Sequence, residues 1–592
     1  MLRLWIVRVC KPASFLWSRA AYVSPSQLPR GARIRPPRAL GGGGTAPRGA
    51  CRRSGRGMLE RVTGRSPPCS RPVAPRWPVA LAVVTTLASL LAGNRPAPTA
   101  PSPARQPNIL FILTDDLDLR EVSVMPHLRS LVGARGATFR NFFVSVSLCC
   151  PSRSTCLRGQ YSHNTHVLTN KGTTGGFETA HALGLEQSTV ATWLRDAGYR
   201  TALIGKYLNG YPNSVSDAYV PPGWDEWDSP SQGSPYSEFN YTLNENGTQV
   251  AYGGAVADYG TDVYARKAAE FITEAARRQV PFFVYLAVYA THLPATPAPR
   301  DAGLFPGARA PRTPSYNEAD VSDKPLFIRS LPLMAPAVER TVDAIYRRRL
   351  RSLQAVDDAI AMLVGTLKRN GQLRNTYIVF TSDNGFHLGQ HRMPAGKQTA
   401  YEEDIHVPFM VRGPGVPAGR VVSQLAGNVD LAPTFGEFAH AVLPGFVDGR
   451  SLVPLLHGRS RAPRRWRRAY LVEHWPVADE SEPAARGGAP LEPSDPDASG
   501  PGPRRLARRS RGYAVVIPPE YHGIRTRRHL YVEYVTGERE LYDLPRDRAE
   551  LHNLAATARP RLLRRLAARL ARLKTCQGTE CRAAEEARRV LP

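Results

Sequence analysis

The chain alternates two kinds of segment, and that alternation limits the folds open to it. Five apolar runs rich in β-branched and aromatic residues, NILFIL at 108–113, TALI at 201–204, PFFVYLAVYA at 281–290, TYIVF at 376–380 and VPFMV at 407–411, are separated by segments of helical spacing. Such runs read as buried strands, and a strand apolar on both sides needs cover on both faces of its sheet. Helices are available to provide it. Val190, Trp193, Leu194 and Ala197 recur at helical intervals up to Gly198, and 264–276 and 337–367 read as longer amphipathic helices. The chain is therefore expected to be α/β, with a mainly parallel central sheet and helices on both faces. EFNYTLNENGTQVAYG at 238–253 reads as an inserted hairpin turning at Asn246 and Gly247. Beyond about residue 460, RAYLVEHW, GYAVVI, RHLYVEYV and ERELYDL follow one another without helices, and a Leu/Arg helix comes near 559–574. That predicts a smaller antiparallel subdomain over 461–592, after a main domain over 106–460 and a leader over 1–105.

With 42% hydrophobic and 22% charged residues, the 592-residue chain is not a disordered protein, a coiled coil or a polytopic membrane protein. Its net charge of +28 would ordinarily suggest a polyanionic partner, but 18 of the 78 basic residues and one of the 50 acids stand in residues 1–105. The leader thus carries +17 and the rest +11. Arginines after Met58 followed by PVALAVVTTLASLLAG at 78–93 read as an export signal, the alternative being an uncleaved anchor, and a Pro/Ala linker follows. The expected location is secreted, periplasmic or at the cell surface, and the Arg/Ala/Pro-heavy composition points to a bacterial source. Membrane contact is expected only through an uncleaved leader. RRWRR at 464–468 and RRLARRSR at 504–511 read as solvated faces, with no nucleic-acid partner, and 487–503 as a disordered loop. Cys576 and Cys581 enclose only QGTE and could close a small disulfide loop. Cys149, Cys150 and Cys156 lack zinc-finger spacing.

In open α/β sheets ligands bind beyond the carboxyl ends of the strands. There the first run ends in Asp115 and Asp116, the second in Lys206, the third in His292, and the fourth in Asp383 and Asn384. Three carboxylates and an amide are hard oxygen donors that suit Ca²⁺ or Mg²⁺. Brought together without a cation, the carboxylates would repel one another.

The stretch Cys149-Cys150-Pro151-Ser152-Arg153, continuing as Ser154-Thr155-Cys156-Leu157-Arg158-Gly159, closely resembles the sulfatase signature. Within that family YSHNTHV at 161–167, GKYLNGY at 205–211, FNYTLNENG at 239–247 and YRRRLRSLQAVDD at 346–358 are similar to N-acetylglucosamine-6-sulfatases. The resemblance covers about 107–554 and implies an alkaline-phosphatase-like α/β sandwich with a smaller C-terminal antiparallel sheet. It also implies that Cys149, which has Pro at +2 and Arg at +4, is converted by a Cys-oxidising enzyme to formylglycine. By the same resemblance Asp115, Asp116, Asp383 and Asn384, with residue 149, bind Ca²⁺. The hydrated aldehyde, polarised by the metal and Arg153, attacks sulfur. Lys206 and Lys397 hold the sulfate, and His292, with a pKa suited to the task near neutrality, protonates the departing sugar oxygen.

One departure from the family pattern is Lys206-Tyr207-Leu208, where many sulfatases have Lys-x-His. Asn209 is the expected substitute in substrate contact, joined by His166, with His163, His387 and His391 as further candidates at the pocket rim. The substrate implied is a sulfated sugar or glycosaminoglycan-like glycan. Two alternatives stay open at this point: a phosphate or phosphonate ester hydrolase of the same superfamily, and an inactive binder of sulfated polysaccharide.

Overall fold

The computed structural model describes residues 106–458, 465–476 and 516–587. The chain opens with β1 (Asn108–Thr114), β2 (Ala137–Phe139) and β3 (Phe142–Phe143), followed by α1 (Cys149–Arg158) and α2 (Val190–Asp196). Next come β4 (Arg200–Gly205), β5 (Glu226–Gly233), the hairpin β6 (Tyr241–Glu245) and β7 (Thr248–Tyr252), α3 (Gly260–Arg278), β8 (Phe282–Ala287), α4 (Pro336–Arg369) and β9 (Thr376–Ser382). β10 (Met410–Arg412), β11 (Arg420–Val422), β12 (Ala426–Gly427) and α5 (Leu431–Ala439) complete the larger part. The smaller part holds β13 (Ala469–His474), β14 (Tyr521–Thr526), β15 (His529–Tyr534), β16 (Arg539–Asp543), α6 (Pro560–Leu573) and α7 (Thr579–Glu586).

Ten strands form one sheet in the order β11-β2-β10-β9-β1-β8-β4-β5-β6-β7, with β9, β1, β8, β4 and β5 mutually parallel. The expected parallel core is there, but VPFMV contributes only β10, which runs antiparallel to β9. The hairpin extends the opposite edge. Its turn falls where expected, with Asn246 at φ 51° and Gly247 at φ 96°, the pair of positive angles a tight two-residue turn needs.

Alternation along each strand divides the core. Ile109, Phe111 and Leu113 face one side with Leu203, Phe283 and Val379, packed by α2 and α5. Leu110 and Ile112 face the other with Ile204, Val284 and Phe380, under Phe271 and Ile272 of α3 and Val356 and Ile360 of α4. The first face is continuous with Leu471, Ile524 and Leu541 of the four-stranded antiparallel sheet β13-β14-β15-β16 and with Leu566 and Leu570 of α6, so the smaller sheet shares the main core. This is the alkaline-phosphatase-like arrangement with its smaller C-terminal sheet.

β13 pairs with β14; of GYAVVI only Val516 and Ile517 are among the described residues, and they belong to no strand. The leader, the 487–503 loop and RRLARRSR also lie outside them. Cys576 and Cys581 form a disulfide. Among the described residues, no helix is long and apolar enough to cross a membrane.

Candidate active site

Strand register brings the polar residues together. Thr114 is paired with Ser382, so the acids that follow β1 and β9 emerge side by side; Leu113 and Gly205 both pair with Ala287, which sets the ends of β8 and β4 beside them. Gly205 has φ 103°, and a Cβ there would lie 2.0 Å from the Ala287 carbonyl oxygen. Only glycine lets the chain turn this closely, and the turn directs Lys206 into the cluster.

Asp116 also sits in the left-handed region, at φ 63°. For a residue with a side chain this conformation costs about 1 kcal/mol and needs support. Arg349 of α4 supplies it: its Nη2 donates to the Asp116 carbonyl at 2.5 Å and its Nη1 to the Thr291 carbonyl at 3.2 Å. Its Nε donates to Glu121 at 2.8 Å, deep in the core. Thr291 Oγ1 adds a bond to the same Asp116 carbonyl at 3.2 Å.

Cys149 opens α1 with its sulfur fully buried, 3.4 Å from Asp115 Oδ1 and 2.9 Å from Lys397 Nζ. Around it Lys206 Nζ donates to Asp115 Oδ2 at 2.6 Å and Lys397 Nζ to Asp116 Oδ1 at 2.6 Å. Arg153 Nε donates to Asp383 Oδ2 at 2.8 Å, its Nη1 to the Lys206 carbonyl at 3.0 Å, and its Nη2 lies 3.6 Å from Asp115. Asn384 Nδ2 donates to Asp116 Oδ1 at 2.7 Å. His292 Nε2 is 3.7 Å from Asp116 Oδ2, while its Nδ1 is held by the Leu293 carbonyl at 2.7 Å.

Burial raises the carboxyl of Asp115, but Lys206, His292, Arg153 and Lys397 outweigh it and hold the group well below the usual range. Asp116 is likewise held down against burial, by Lys397 and His292. Asp383 is pushed up to about 6, by burial and by Asp115. Burial and Asp115 push the Cys149 thiol far up against the two lysines, so the sulfur is protonated and is a poor nucleophile as it stands. His292 departs from its expected near-neutral pKa: burial pulls it down to about 4 against Asp116 and Asp115. With Nδ1 donating to a carbonyl, its Nε2 is a lone pair rather than a loaded acid.

The cluster fits a hard cation. Ligand atoms of Asp115, Asp116, Cys149 and His292 lie within 4.8 Å of one another, all buried. Asp116 Oδ2 and Asn384 Oδ1 are buried oxygens without a hydrogen-bond partner among the described residues. Three carboxylates against Arg153, Lys206 and Lys397 leave the cavity near neutral, so a divalent ion would make it electropositive, as an anionic ester requires.

The other predicted residues divide. Asn209 is buried at the turn after β4, its carbonyl accepting from Phe177 N at 2.6 Å. The departure at Tyr207-Leu208 is a packing feature: both are buried, and Tyr207 donates to Glu186 at 3.1 Å. His166 is exposed, capping the turn Ser162–Thr165 in the left-handed conformation. His163 points to the C-terminal segment instead, with Nδ1 2.8 Å from Glu473 and Nε2 2.9 Å from the Cys576 carbonyl. His387 is buried, with Asp404 at 3.0 Å, and its backbone pairs with Gly396 next to Lys397. His391 is buried on Glu318 at 2.6 Å. Sequence reasoning missed Arg349, which lies inside the quoted YRRRLRSLQAVDD and is distinguished from its neighbouring arginines only by facing inward. It also missed Tyr236 and Tyr289, whose rings lie 4.9 and 5.8 Å from Lys206 Nζ.

A family model described as Sulfatase matches residues 107–441. The chain is 39% identical over 396 residues to an extracellular sulfatase SULF-1 homolog of Drosophila melanogaster, covering 66% of this chain and 35% of that protein. This chain thus spans about a third of that relative's length. It is 34% identical over 495 residues to an N-acetylglucosamine-6-sulfatase of Homo sapiens, covering 81% and 86% of the two chains. These relatives are eukaryotic and give the expected bacterial source no support. A structure solved in complex with its substrate D-glucosamine-2-N,6-O-disulfate superposes with a TM-score of 0.63 at 24% identity, over 81% of this chain and 99% of that one.

Proposed function

The chain belongs to the sulfatase family, and from that premise we propose that it hydrolyses sulfate esters on sugars, with the 6-O-sulfate of N-acetylglucosamine units in glycosaminoglycan-like glycans as its substrate. The observation that carries the reading is the placement of Cys149: a buried, protonated thiol wedged between Asp115 and the ammonium of Lys397 at the head of α1. A thiol so held is a weak nucleophile, which supports its oxidation to formylglycine; once hydrated, that residue would supply a hydroxyl nucleophile. Asp115, Asp116, Asp383, Asn384 and residue 149 would hold Ca²⁺, which would supply Lewis-acid polarisation of the sulfate.

The protein's own groups do the rest. Arg153 is fixed by Asp383 and by the Lys206 carbonyl, so its charge cannot swing away from residue 149. Lys206 and Lys397, each buried on one carboxylate, are fixed donors for the sulfate oxygens. His292 faces the cluster through Nε2, its one untethered nitrogen; the negative charge of a bound sulfate ester would favour protonation of Nε2, and that proton would go to the leaving sugar oxygen. Asn209 and His166 are proposed as contacts to the sugar. The 34% identity to N-acetylglucosamine-6-sulfatase supports the choice of sugar. Export through the leader and maturation by a Cys-oxidising enzyme complete the reading.

The test compares kcat/KM for 6-sulfated N-acetylglucosamine, an aryl sulfate and a phosphate monoester. A polar pocket matched to the sugar should favour the first by orders of magnitude, up to ~10⁴. A phosphate ester hydrolysed best would overturn the sulfate reading, and parity with the aryl sulfate would remove the sugar.

A further inference from the structure

A second feature lies in the smaller part of the molecule and shares no residue with the Cys149 cluster. Between α6, the β14–β15 turn and the strand entry at 466–468 runs a groove of about 490 Å³, and among the described residues no Asp or Glu lines it. Six arginines enter it, in two classes. Arg467 and Arg528 are committed to structure: Arg467 is buried against Asp430 at 2.8 Å and Glu585 at 2.8 Å, and Arg528 is forked on Asp543 at 3.0 and 2.7 Å. Arg569 donates through Nη2 to the Ala587 carbonyl but meets no carboxylate, and Arg468, Arg527 and Arg565 are the others.

Their surroundings are of their own sign. Burial, with Arg565, Arg468 and Arg572, pulls the pKa of Arg569 below its ordinary value, and no acid appears among its neighbours in that balance. Arg569 Nε is buried without a hydrogen-bond partner among the described residues. The leucines of α6 explain how the charges come to be arrayed: Leu566, Leu570 and Leu573 are buried against the small sheet, which turns Arg561, Arg565, Arg569 and Arg572 along adjoining faces of the helix. Arg561 and Arg572 are 11 positions apart, roughly 16 Å at 1.5 Å per residue. Half-buried Trp466, fixed by its indole donating to the Leu425 carbonyl at 2.8 Å, adds an apolar wall.

We propose that this groove is a second binding site for a linear sulfated polysaccharide, holding the glycan at the C-terminal face while esters are cleaved at the other site. A row of like charges left uncompensated at this spacing fits a chain with repeated anionic groups better than a single small anion, because each contact releases counterions condensed on the chain. Guanidinium forks suit sulfate oxygens as they suit phosphate, and an aromatic wall suits the apolar face of a sugar ring. The choice of glycan over another polyanion rests on the hydrolase reading above.

The test uses the full chain, heparin as the sulfated polysaccharide, and two triple variants of equal charge loss. Arg468→Ser/Arg527→Ser/Arg565→Ser changes the groove, and Arg135→Ser/Arg277→Ser/Arg374→Ser changes exposed arginines elsewhere. The groove triple should weaken heparin at least 10-fold and lower the slope of log K against log salt by about 2, while the other triple changes affinity less than 3-fold. Turnover of a small aryl sulfate should be unchanged in both. Equal weakening in the two triples overturns the proposal, since diffuse charge then explains binding; so does a single-stranded DNA of matched charge that binds more tightly than heparin. Binding is read without turnover. A preparation that binds as expected but hydrolyses no sulfate ester supports the groove and counts against the hydrolase reading alone.

Discussion

Lys397 Nζ lies 2.9 Å from the sulfur of Cys149, and the same ammonium donates to Asp116 at 2.6 Å. One buried charge therefore serves both the reacting residue and a metal-ligand candidate. Replacing it by Met keeps the stem and removes the donor. Loss of a fixed donor of this kind costs about 10²–10³ in rate. Lys397→Met should lower kcat/KM for an aryl sulfate by at least that factor, because Asp116 also loses its counter-charge; a loss below tenfold would place Lys397 outside the reaction.

His292 is expected to matter according to what leaves. Its contribution as a proton donor should be 10²–10⁴ for a sugar alcohol and small for a nitrophenolate, which departs without help. His292→Ala should thus depress turnover of the sulfated sugar far more than that of a nitrophenyl sulfate. Equal losses on both would assign His292 to binding the sulfate instead.

Metal removal should act on stability as well as rate. A cation bound at a hundred times its dissociation constant stabilises the folded state by about 2.7 kcal/mol. Chelation should lower the melting temperature and abolish turnover, both restored by Ca²⁺. Asp383→Ala should show neither response and should be destabilised by about 1–3 kcal/mol, because buried Arg153 loses its nearest carboxylate and keeps only the Lys206 carbonyl and the more distant Asp115. Restoration by Mg²⁺ alone would correct the choice of ion.

The latch at His163 predicts a pH dependence remote from the chemistry. Burial lowers the pKa of His163, but Glu473 and the Cys576 carbonyl outweigh it and hold the group up at about 9. The folded protein therefore binds a proton that the unfolded chain releases near its ordinary value of ~6.5. The resulting stability is whole below pH ~6.5 and is lost as pH rises through 9. Its size is about 2 kcal/mol, the scale of hydrogen bonds to a charged donor. The denaturant midpoint of wild type should fall between pH 6.5 and 9.5, and that of His163→Gln should start lower and stay flat over the same interval.

Legibility followed periodicity. Strands β1, β4, β8 and β9 and helices α3 and α4 were readable because their burial is decided by local pattern, and the residues at their ends came with them. β14 was not readable: YHGIRT has a glycine and a buried arginine, Arg525, whose charge is matched by Glu402, a partner 123 residues away. The histidines show the same limit. His163 is expected from the sequence at the pocket rim, yet its Nε2 meets the Cys576 carbonyl, more than 400 residues downstream. Tertiary partners decide what a polar side chain is for, and spacing along the chain carries no sign of them.

On the proposed conversion of Cys149, its burial sets an order of events in the making of the protein. In the folded chain its sulfur is enclosed and out of reach of any enzyme acting on it, so an oxidation of Cys149 must be finished before the enclosure forms. Lys397, which closes that enclosure, is 248 residues further along. At translation rates of about 5–20 residues per second it emerges roughly 10–50 s after Cys149. Until then β1 lacks β9, the strand that brings Asp383 and Asn384, and the enclosure around the sulfur is incomplete. The distance in sequence between the two halves of the site therefore works as a timer, and changes that speed synthesis or early collapse should raise the fraction of molecules that fold with an unconverted thiol.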